Sequence, residues 1–166
     1  MTQSTEPAWL IAARAKLGTR EAPGPASNPT VIGWAKRLGA RVLGITYGDD
    51  SVPWCGLFAA TCMAEAGIAP PPIAVRASSW DAFGVPARPF VGAVLRFARP
   101  GGGHVGFAVG EDATRFFVLG GNQGDRVSIV PIQKARLAAC RAPAGFTGPR
   151  LPLPQMRGGA SSRDEA

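Results

Sequence analysis

The chain has 166 residues, 46% of them hydrophobic, which is enough for one domain with its own core and argues against wholesale disorder. Its formal charge of +7 comes from 18 basic and 11 acidic residues, and the basic residues are scattered rather than interleaved with aromatic side chains. We therefore expect no nucleic-acid binding, although the charge suits an anionic surface and also fits an arginine-rich composition. No apolar run approaches the roughly 20 residues of a membrane span.

The first half of the chain carries helical patterns over residues 7–18, about 28–39 and about 54–65. The first two patterns fit helices that pack against the core and carry no obvious catalytic group. The third is apolar on most sides and stops at Gly67, so it should be a buried central helix. Residues 40–54 between the second and third helices read as irregular.

From residue 91 onward the hydrophobic period changes from about 3.6 to 2, which predicts strands. Strands are expected around 93–97, 104–109, 115–119, 126–132 and 137–141, with turns at 99–103, 110–113 and 120–125. Helices followed by a meander of antiparallel strands indicate an α+β fold. We expect one domain over residues 1–145 and a flexible tail rich in Pro, Gly and Arg over residues 146–166.

Three cysteines, Cys55, Cys62 and Cys140, are odd in number and too few for a disulfide framework, so free thiols are expected. Cys62 fits a small buried apolar residue. Cys55 follows a turn and opens the third helix, where unpaired backbone N–H groups and the helix dipole favour the nucleophilic thiolate. Taken alone, a cysteine there is more often a core thiol.

The chain contains one histidine, His104, so only one Cys–His pair can form, with His104 as the base. On its predicted strand His104 shares a face with Gly106 and Ala108. We expect these small neighbours to leave open room for a helix N-terminus and a substrate. A lone histidine near a strand end would otherwise be structural.

A third residue should orient the imidazole and fix its tautomer. Asn122 is the best candidate, because an adjacent strand could bring its amide near the ring, although turn asparagines beside glycines are common. Gln123 and Asp125 are weaker candidates for the same role. The oxyanion hole could use the Cys55 N–H and a side chain of the preceding loop.

Six residues are further candidates for oxyanion or substrate contacts: Tyr47, Asp50, Trp54, Trp80, Gly103 and Gln123. The sequence leaves two positions open for Trp80: the wall of a groove, or the interior of the core. Glycines at 101–103 let a substrate backbone approach closely.

Other chemistries find less support. A single histidine and the absence of His-Glu-x-x-His argue against a zinc amidase. The glycine run at 101–103 lacks the following Lys-Ser/Thr of a P-loop, and no Gly-x-Ser-x-Gly occurs. We expect no metal and no cofactor.

Three segments are informative through their order and spacing: Pro-Trp-Cys-Gly-Leu-Phe at 53–58, Gly-His-Val-Gly-Phe-Ala-Val-Gly at 103–110 and Leu-Gly-Gly-Asn-Gln at 119–123. Together they resemble the NlpC/P60 and CHAP superfamily of cysteine peptidases, and more narrowly its short phage-type and prophage-type wall hydrolases. The opening over 9–21 is similar to the same group, so the resemblance covers about residues 8–132.

The resemblance implies a papain-like NlpC/P60 fold, with N-terminal helices and a central nucleophile helix packed on an antiparallel sheet. It also implies cleavage of amide bonds in peptidoglycan stem peptides, with Cys55 as nucleophile, His104 as base and Asn122 as orienting residue. Many NlpC/P60 members have Asp before the cysteine and Ser after it, where this chain has Trp54 and Gly56. Many CHAP members have Glu as the third residue.

We therefore expect a monomeric cysteine hydrolase, a peptidoglycan endopeptidase or N-acetylmuramoyl-L-alanine amidase. The N-terminal residues lack the pattern of a secretion signal, so we expect synthesis in the cytoplasm and action on the cell wall after lysis or delivery. The carrier would be a phage tail, a gene-transfer particle or a secretion machine. Two alternatives remain: a non-catalytic phage-tail or wall-binding module, and a cysteine hydrolase toxin acting on protein amides.

Overall fold

The computed structural model describes residues 5–22, 27–47, 53–100 and 102–162. Within these ranges the α-helices are α1 (Ala8–Arg14), α2 (Pro29–Leu38), α3 (Ala40–Leu43) and α4 (Cys55–Glu65). The strands are β1 (Val85–Pro86), β2 (Val94–Arg99), β3 (Gly102–Glu111), β4 (Arg115–Gly120), β5 (Ser128–Gln133) and β6 (Leu137–Ala142). Two 3-10 helices cover Ala77–Ala82 and Lys134–Arg136. The predicted α+β class is confirmed.

All six strands belong to one antiparallel sheet in the order β1-β6-β2-β3-β4-β5. β3 is central, between β2 and β4, and a register shift interrupts its pairing with β4 between Ala108 and Gly110. The consecutive strands β2 to β5 form the predicted meander. No helix in the described ranges is both long and apolar enough to cross a bilayer.

Helix α2 begins where the sequence predicts, because Asn28 accepts a hydrogen bond from the Thr30 N–H at 2.7 Å and Pro29 occupies the first turn. Helix α1 is shorter than predicted and ends at Arg14. Beyond it the chain turns to pair with the residue before β5, since the Gly18 N–H bonds the Val127 carbonyl at 3.0 Å. A hydrogen-bond partner distant in sequence therefore overrides the helical pattern of residues 15–18.

Helix α4 is the buried central helix that its apolar sequence predicts. Every residue from Cys55 to Met63 is buried. The Phe58 ring lies 6.1 Å from the Phe107 ring of β3 on one side and 6.1 Å from the Trp34 ring of α2 on the other. The start of α4 is thereby fixed against the centre of the sheet.

Residues 143–162 lie along the sheet, whereas a flexible tail was expected from residue 146. Gln155 forms a parallel bridge with Glu111 at the end of β3. The Arg115 Nη1 atom donates to the Gly159 carbonyl at 2.7 Å. Apolar residues in this segment, including the buried Leu153, supply the packing that a count of Pro and Gly does not reveal.

Candidate active site

The Cys55 thiol lies at the first residue of α4, and its side chain is almost fully buried. The first α-helical bond joins the Phe58 N–H to the Trp54 carbonyl, so the N–H groups of Cys55, Gly56 and Leu57 have no acceptor within the helix. The Gly56 N–H donates to the Cys55 sulfur, as does the Val105 N–H of β3. These donors favour a negative charge on sulfur.

His104 is hydrogen-bonded through its side chain to Cys55. Burial by itself would raise the pKa of Cys55, but the hydrogen bond and positive charge of His104, with the two backbone N–H groups, outweigh it and hold the pKa below its ordinary value. The predicted pairing of the one thiol at a helix start with the one histidine is therefore present as a contact.

Gln123 supports the far side of the imidazole. Its Oε1 atom lies 2.8 Å from His104 Nε2. Its Nε2 atom donates to the carbonyls of Val118 at 3.1 Å and Ser128 at 2.7 Å, so the amide oxygen must be the atom that faces the ring. His104 Nε2 therefore carries a proton, which leaves Nδ1 as the ring nitrogen for the thiol.

The contact expected from Asn122 is made by Gln123 instead. Asn122 has a positive φ of 58°, and its buried Oδ1 has no hydrogen-bond partner among the described residues. This left-handed residue turns the chain back after β4, so the next side chain, not its own, reaches His104. Strand alternation cannot be extended through such a turn.

Two glycines in the same segment make room for this contact. A Cβ at Gly120 would lie 2.6 Å from Gln123 Oε1 and 3.1 Å from His104 Nε2. A Cβ at Gly121 would lie 2.5 Å from the Cβ of Phe58 in α4. The Leu-Gly-Gly-Asn-Gln segment thus brings the end of β4 against both the ring and the helix.

The face of β3 that carries His104 is not open, contrary to expectation. His104 and Ala108 are fully buried, and a Cβ at Gly106 would lie 2.5 Å from Val118 Cγ1 and 3.1 Å from the Leu119 carbonyl oxygen. The small residues beside His104 therefore admit β4 and not a substrate.

A cavity of about 430 Å³ borders Cys55, whose buried side chain forms part of its lining. Its lining residues are Pro53, Cys55, Val75, Arg76, Ala77, Ser78, Arg96, Arg99, Gly102 and Gly103. Gly103 was predicted for this role. The arginines carry no catalytic motif and were not identified from the sequence.

The remaining candidates lie elsewhere. Trp54 and Trp80 are fully buried, Tyr47 is buried in the same core, and the three are absent from the cavity lining. Trp80 plugs the core, since its Nε1 atom donates to the Ala74 carbonyl at 3.0 Å and its ring packs on Phe83. Asp50 lies outside the described residues.

The two other cysteines are unpaired, and neither resembles Cys55 electrostatically. Burial raises the pKa of Cys62, which is fully enclosed as predicted, and raises the pKa of Cys140 to about 11. Among the described residues no group of three His, Cys, Asp or Glu side chains could hold a metal ion.

We expect Gln123→Leu to lower turnover by at least about ten-fold, part of the 10²- to 10⁴-fold that general acid–base catalysis contributes. The variant removes the acceptor that holds the imidazolium. The pH at which Cys55 becomes reactive toward an alkylating agent should therefore rise, an effect that mere loss of packing would not produce. The exposed Gln133→Leu is the control. An unchanged thiol titration in Gln123→Leu would contradict the role given to Gln123.

Gly56 stands where many NlpC/P60 proteins have Ser, and the structure gives a local reason for a glycine at this position. A Cβ at this position would overlap the Ala74 carbonyl oxygen and lie 2.7 Å from that of Val75. We expect Gly56→Ala to lower the free energy of unfolding by about 3 kcal/mol, at the upper end of typical overpacking costs. Gly33→Ala, in α2 with only ordinary contacts, should be neutral or stabilising by up to about 1 kcal/mol. Chemical denaturation measures both, and equal stabilities would refute the close approach.

Comparisons with known proteins find no match for this chain. No protein-family profile matches the chain, and neither a characterised protein nor a solved structure matches it.

Proposed function

We propose that the chain is a cysteine hydrolase that cleaves amide bonds in peptidoglycan stem peptides. The observation that carries the proposal is the arrangement of three side chains: the Cys55 thiol at a helix start, the His104 ring against it, and the Gln123 amide on the ring's other nitrogen. A thiol with a lowered pKa, an adjacent base and an orienting acceptor is the constellation that nucleophilic catalysis requires.

The chemistry follows from these positions. The Cys55 thiolate attacks the amide carbonyl, and the charge that develops on oxygen can be met by the Cys55 N–H, which has no acceptor within the helix. The amide C–N bond breaks as the proton on His104 Nδ1 passes to the leaving nitrogen, which gives a thioester and a free amine. Water then adds to the thioester while His104 takes its proton, and the Cys55 thiolate leaves.

The substrate class comes from the motifs. The segments around Cys55, His104 and Gln123 resemble those of NlpC/P60 and CHAP wall hydrolases, and the order of helices and strands is compatible with the papain-like fold of that group. Two departures have local causes: Gly56 lies where the backbone of 74–75 leaves no room for a side chain, and Gln123 holds the ring where other members use a different residue. Action on the cell wall after delivery or lysis belongs to the same proposal.

The test is to incubate purified peptidoglycan with the wild-type protein under reducing conditions and to identify the fragments by mass spectrometry. We expect muropeptides with one new amino and one new carboxyl terminus, which name the bond cleaved. Intact muropeptides would refute the proposal. Intact muropeptides with retained binding would favour a wall-binding module, and cleavage or deamidation of protein amides alone would favour a toxin.

A further inference from the structure

We propose that Arg96 is a substrate-binding residue, whose Nη1 group donates a hydrogen bond to a carbonyl oxygen of the bound peptide at an amide that neighbours the scissile one. The inference rests on the proposed function, because it concerns how the cavity beside Cys55 holds its peptide. Asp81 is the positioning residue, which fixes the guanidinium group and acts on the substrate only through it.

The Arg96 side chain is held in one orientation by Asp81 of the 3-10 helix Ala77–Ala82. The Nε atom of Arg96 donates to Asp81 Oδ1 at 2.8 Å, and the Nη2 atom donates to Asp81 Oδ2 at 2.7 Å. Two parallel bonds of this kind fix the plane of a guanidinium group as well as binding it. The Arg96 side chain is only 16% exposed, so the packing around it restricts it further.

Nη1 is the guanidinium nitrogen that this ion pair leaves unused. Among the described residues, none accepts a hydrogen bond from Nη1, which carries two N–H donors. Arg96 lines the same cavity as Cys55, and a Cβ at Gly103 would lie 3.5 Å from Arg96 Nη1. The unused donors are therefore beside Gly103, the residue before the base.

The register of the sheet explains how Arg96 reaches Gly103. In the pairing of β2 with β3, Arg96 is opposite Val105, and Gly103 is two residues before Val105 on the same face of β3. Such diagonal neighbours are about 7–8 Å apart, within reach of a long side chain. Because Gly103 has no side chain, the guanidinium can extend across its backbone. The Val105 N–H also donates to the Cys55 sulfur, so one strip of the sheet positions both the nucleophile and Arg96.

The 3-10 helix that carries Asp81 also forms the wall of the cavity next to Gly103. A Cβ at Gly103 would lie 3.4 Å from the Cβ of Ala77, at the start of this helix, and Ala77 is among the lining residues. The ion pair between Asp81 and Arg96 thus fixes the helix against β2. A peptide over Gly103 meets the apolar Ala77 side chain and the Arg96 donor together.

A peptide carbonyl oxygen fits Nη1 better than a carboxylate does. Asp81 already places one carboxylate on this guanidinium, and a second carboxylate on Nη1 would lie close to it with the same charge. A neutral carbonyl oxygen carries no such repulsion and still gains a charge-assisted hydrogen bond. The cavity of about 430 Å³ has room for the residue that joins the bound amide to the scissile one. A peptide held by Nη1 can therefore present its next amide to Cys55.

The experiment measures the binding of a synthetic stem peptide to Cys55→Ala protein, which cannot turn over, by calorimetric titration. Arg96→Gln and Arg96→Lys in this background should each weaken binding about ten-fold, because the charge-assisted hydrogen bond is lost. Arg96→Lys separates the contact from the packing, because lysine keeps an ion pair with Asp81 but has no second nitrogen to offer the substrate. Arg37→Gln, which removes an exposed charge on α2, should leave binding unchanged.

Substitutions of Asp81 test its positioning role. Asp81→Asn should weaken binding by about three-fold, the worth of a partly exposed ion pair. Asp81→Glu, which can still pair with Arg96, should restore most of this loss. Equal binding in the Asp81→Asn variant and its parent would overturn the role of Asp81.

Two peptide analogues locate the oxygen atom that is bound. Each replaces one of the two amides that neighbour the scissile bond with an (E)-alkene, which keeps the shape of the amide but lacks its carbonyl oxygen. One analogue should bind Cys55→Ala protein about ten-fold more weakly than the parent peptide. Arg96→Lys should not weaken the binding of that analogue further, because the two changes remove the same contact.

Unchanged binding in both Arg96 variants would overturn the inference, and so would independent losses from Arg96→Lys and from each alkene. The proposed function fails separately: wild-type protein that binds the peptide through Arg96 but does not cleave it would overturn hydrolysis and leave the binding site. In protein that retains Cys55, Arg96→Lys should raise KM about ten-fold at nearly constant kcat, because the contact holds ground state and transition state alike. Cleavage with unchanged KM and kcat would overturn the Arg96 contact alone.

Discussion

Cys55→Ala should abolish peptidoglycan cleavage, with a loss of at least about 10⁴-fold in kcat/KM, because removing the nucleophile removes the covalent route entirely. The Cys55 side chain lines the cavity. Its sulfur accepts hydrogen bonds from the Gly56 and Val105 N–H groups and contacts His104, the only histidine of the chain. Release of new amino termini, followed by mass spectrometry of the muropeptides, measures the effect.

Cys62→Ala is the matched control, since Cys62 is in the same helix but wholly enclosed by core side chains. We expect this variant to lose about 1 kcal/mol of stability, as is common for buried truncations, and to keep its activity per folded molecule. Comparable losses in the two variants would show that the thiol at 55 acts only through packing.

His104→Gln should lower kcat by about 10²- to 10⁴-fold, the contribution of a positioned general base. Glutamine is close to histidine in size but cannot shuttle a proton, so a folded variant isolates the chemistry. The effect should fall on kcat more than on KM, because the ring is fully buried and is absent from the cavity lining. Stopped-flow or steady-state assays with a defined stem peptide measure the split.

Thermal unfolding of His104→Gln shows whether a loss of activity comes from the missing base or from a smaller fraction of folded protein. His104 is fully buried and hydrogen-bonded to Gln123, so some loss of stability is expected. A variant that is folded at the assay temperature yet retains wild-type kcat would contradict the role of His104 as the base.

Much of this arrangement can be predicted from the sequence because local patterns determine it. The apolar surroundings of Cys55 predict a buried helix, and Gly67 its stop. The change of hydrophobic period after residue 91 predicts the meander, and one histidine in 166 residues leaves a single Cys–His pairing.

The features that could not be predicted depend on backbone conformation and on contacts between different strands. Because Asn122 has a positive φ, the side chain that contacts the His104 ring is that of Gln123 and not that of Asn122. The glycine at 106 looks like space for a substrate, but Val118 of the neighbouring strand fills it. Arg96 and Arg99 become cavity residues only through the register between β2 and β3, which side-chain periodicity does not specify.

The central claim is that His104 activates Cys55 as a thiolate nucleophile, and the pH dependence of alkylation tests it most directly. Iodoacetamide labelling resolved by peptide mass spectrometry gives the rate at Cys55 against Cys140, whose pKa burial raises to about 11, in the same sample. We predict that Cys55 in the wild type reacts well below the ordinary thiol pKa of about 8.5, and that His104→Gln moves this reactivity to higher pH. A Cys55 that titrates at or above about 8.5, with no change in His104→Gln, would contradict the account.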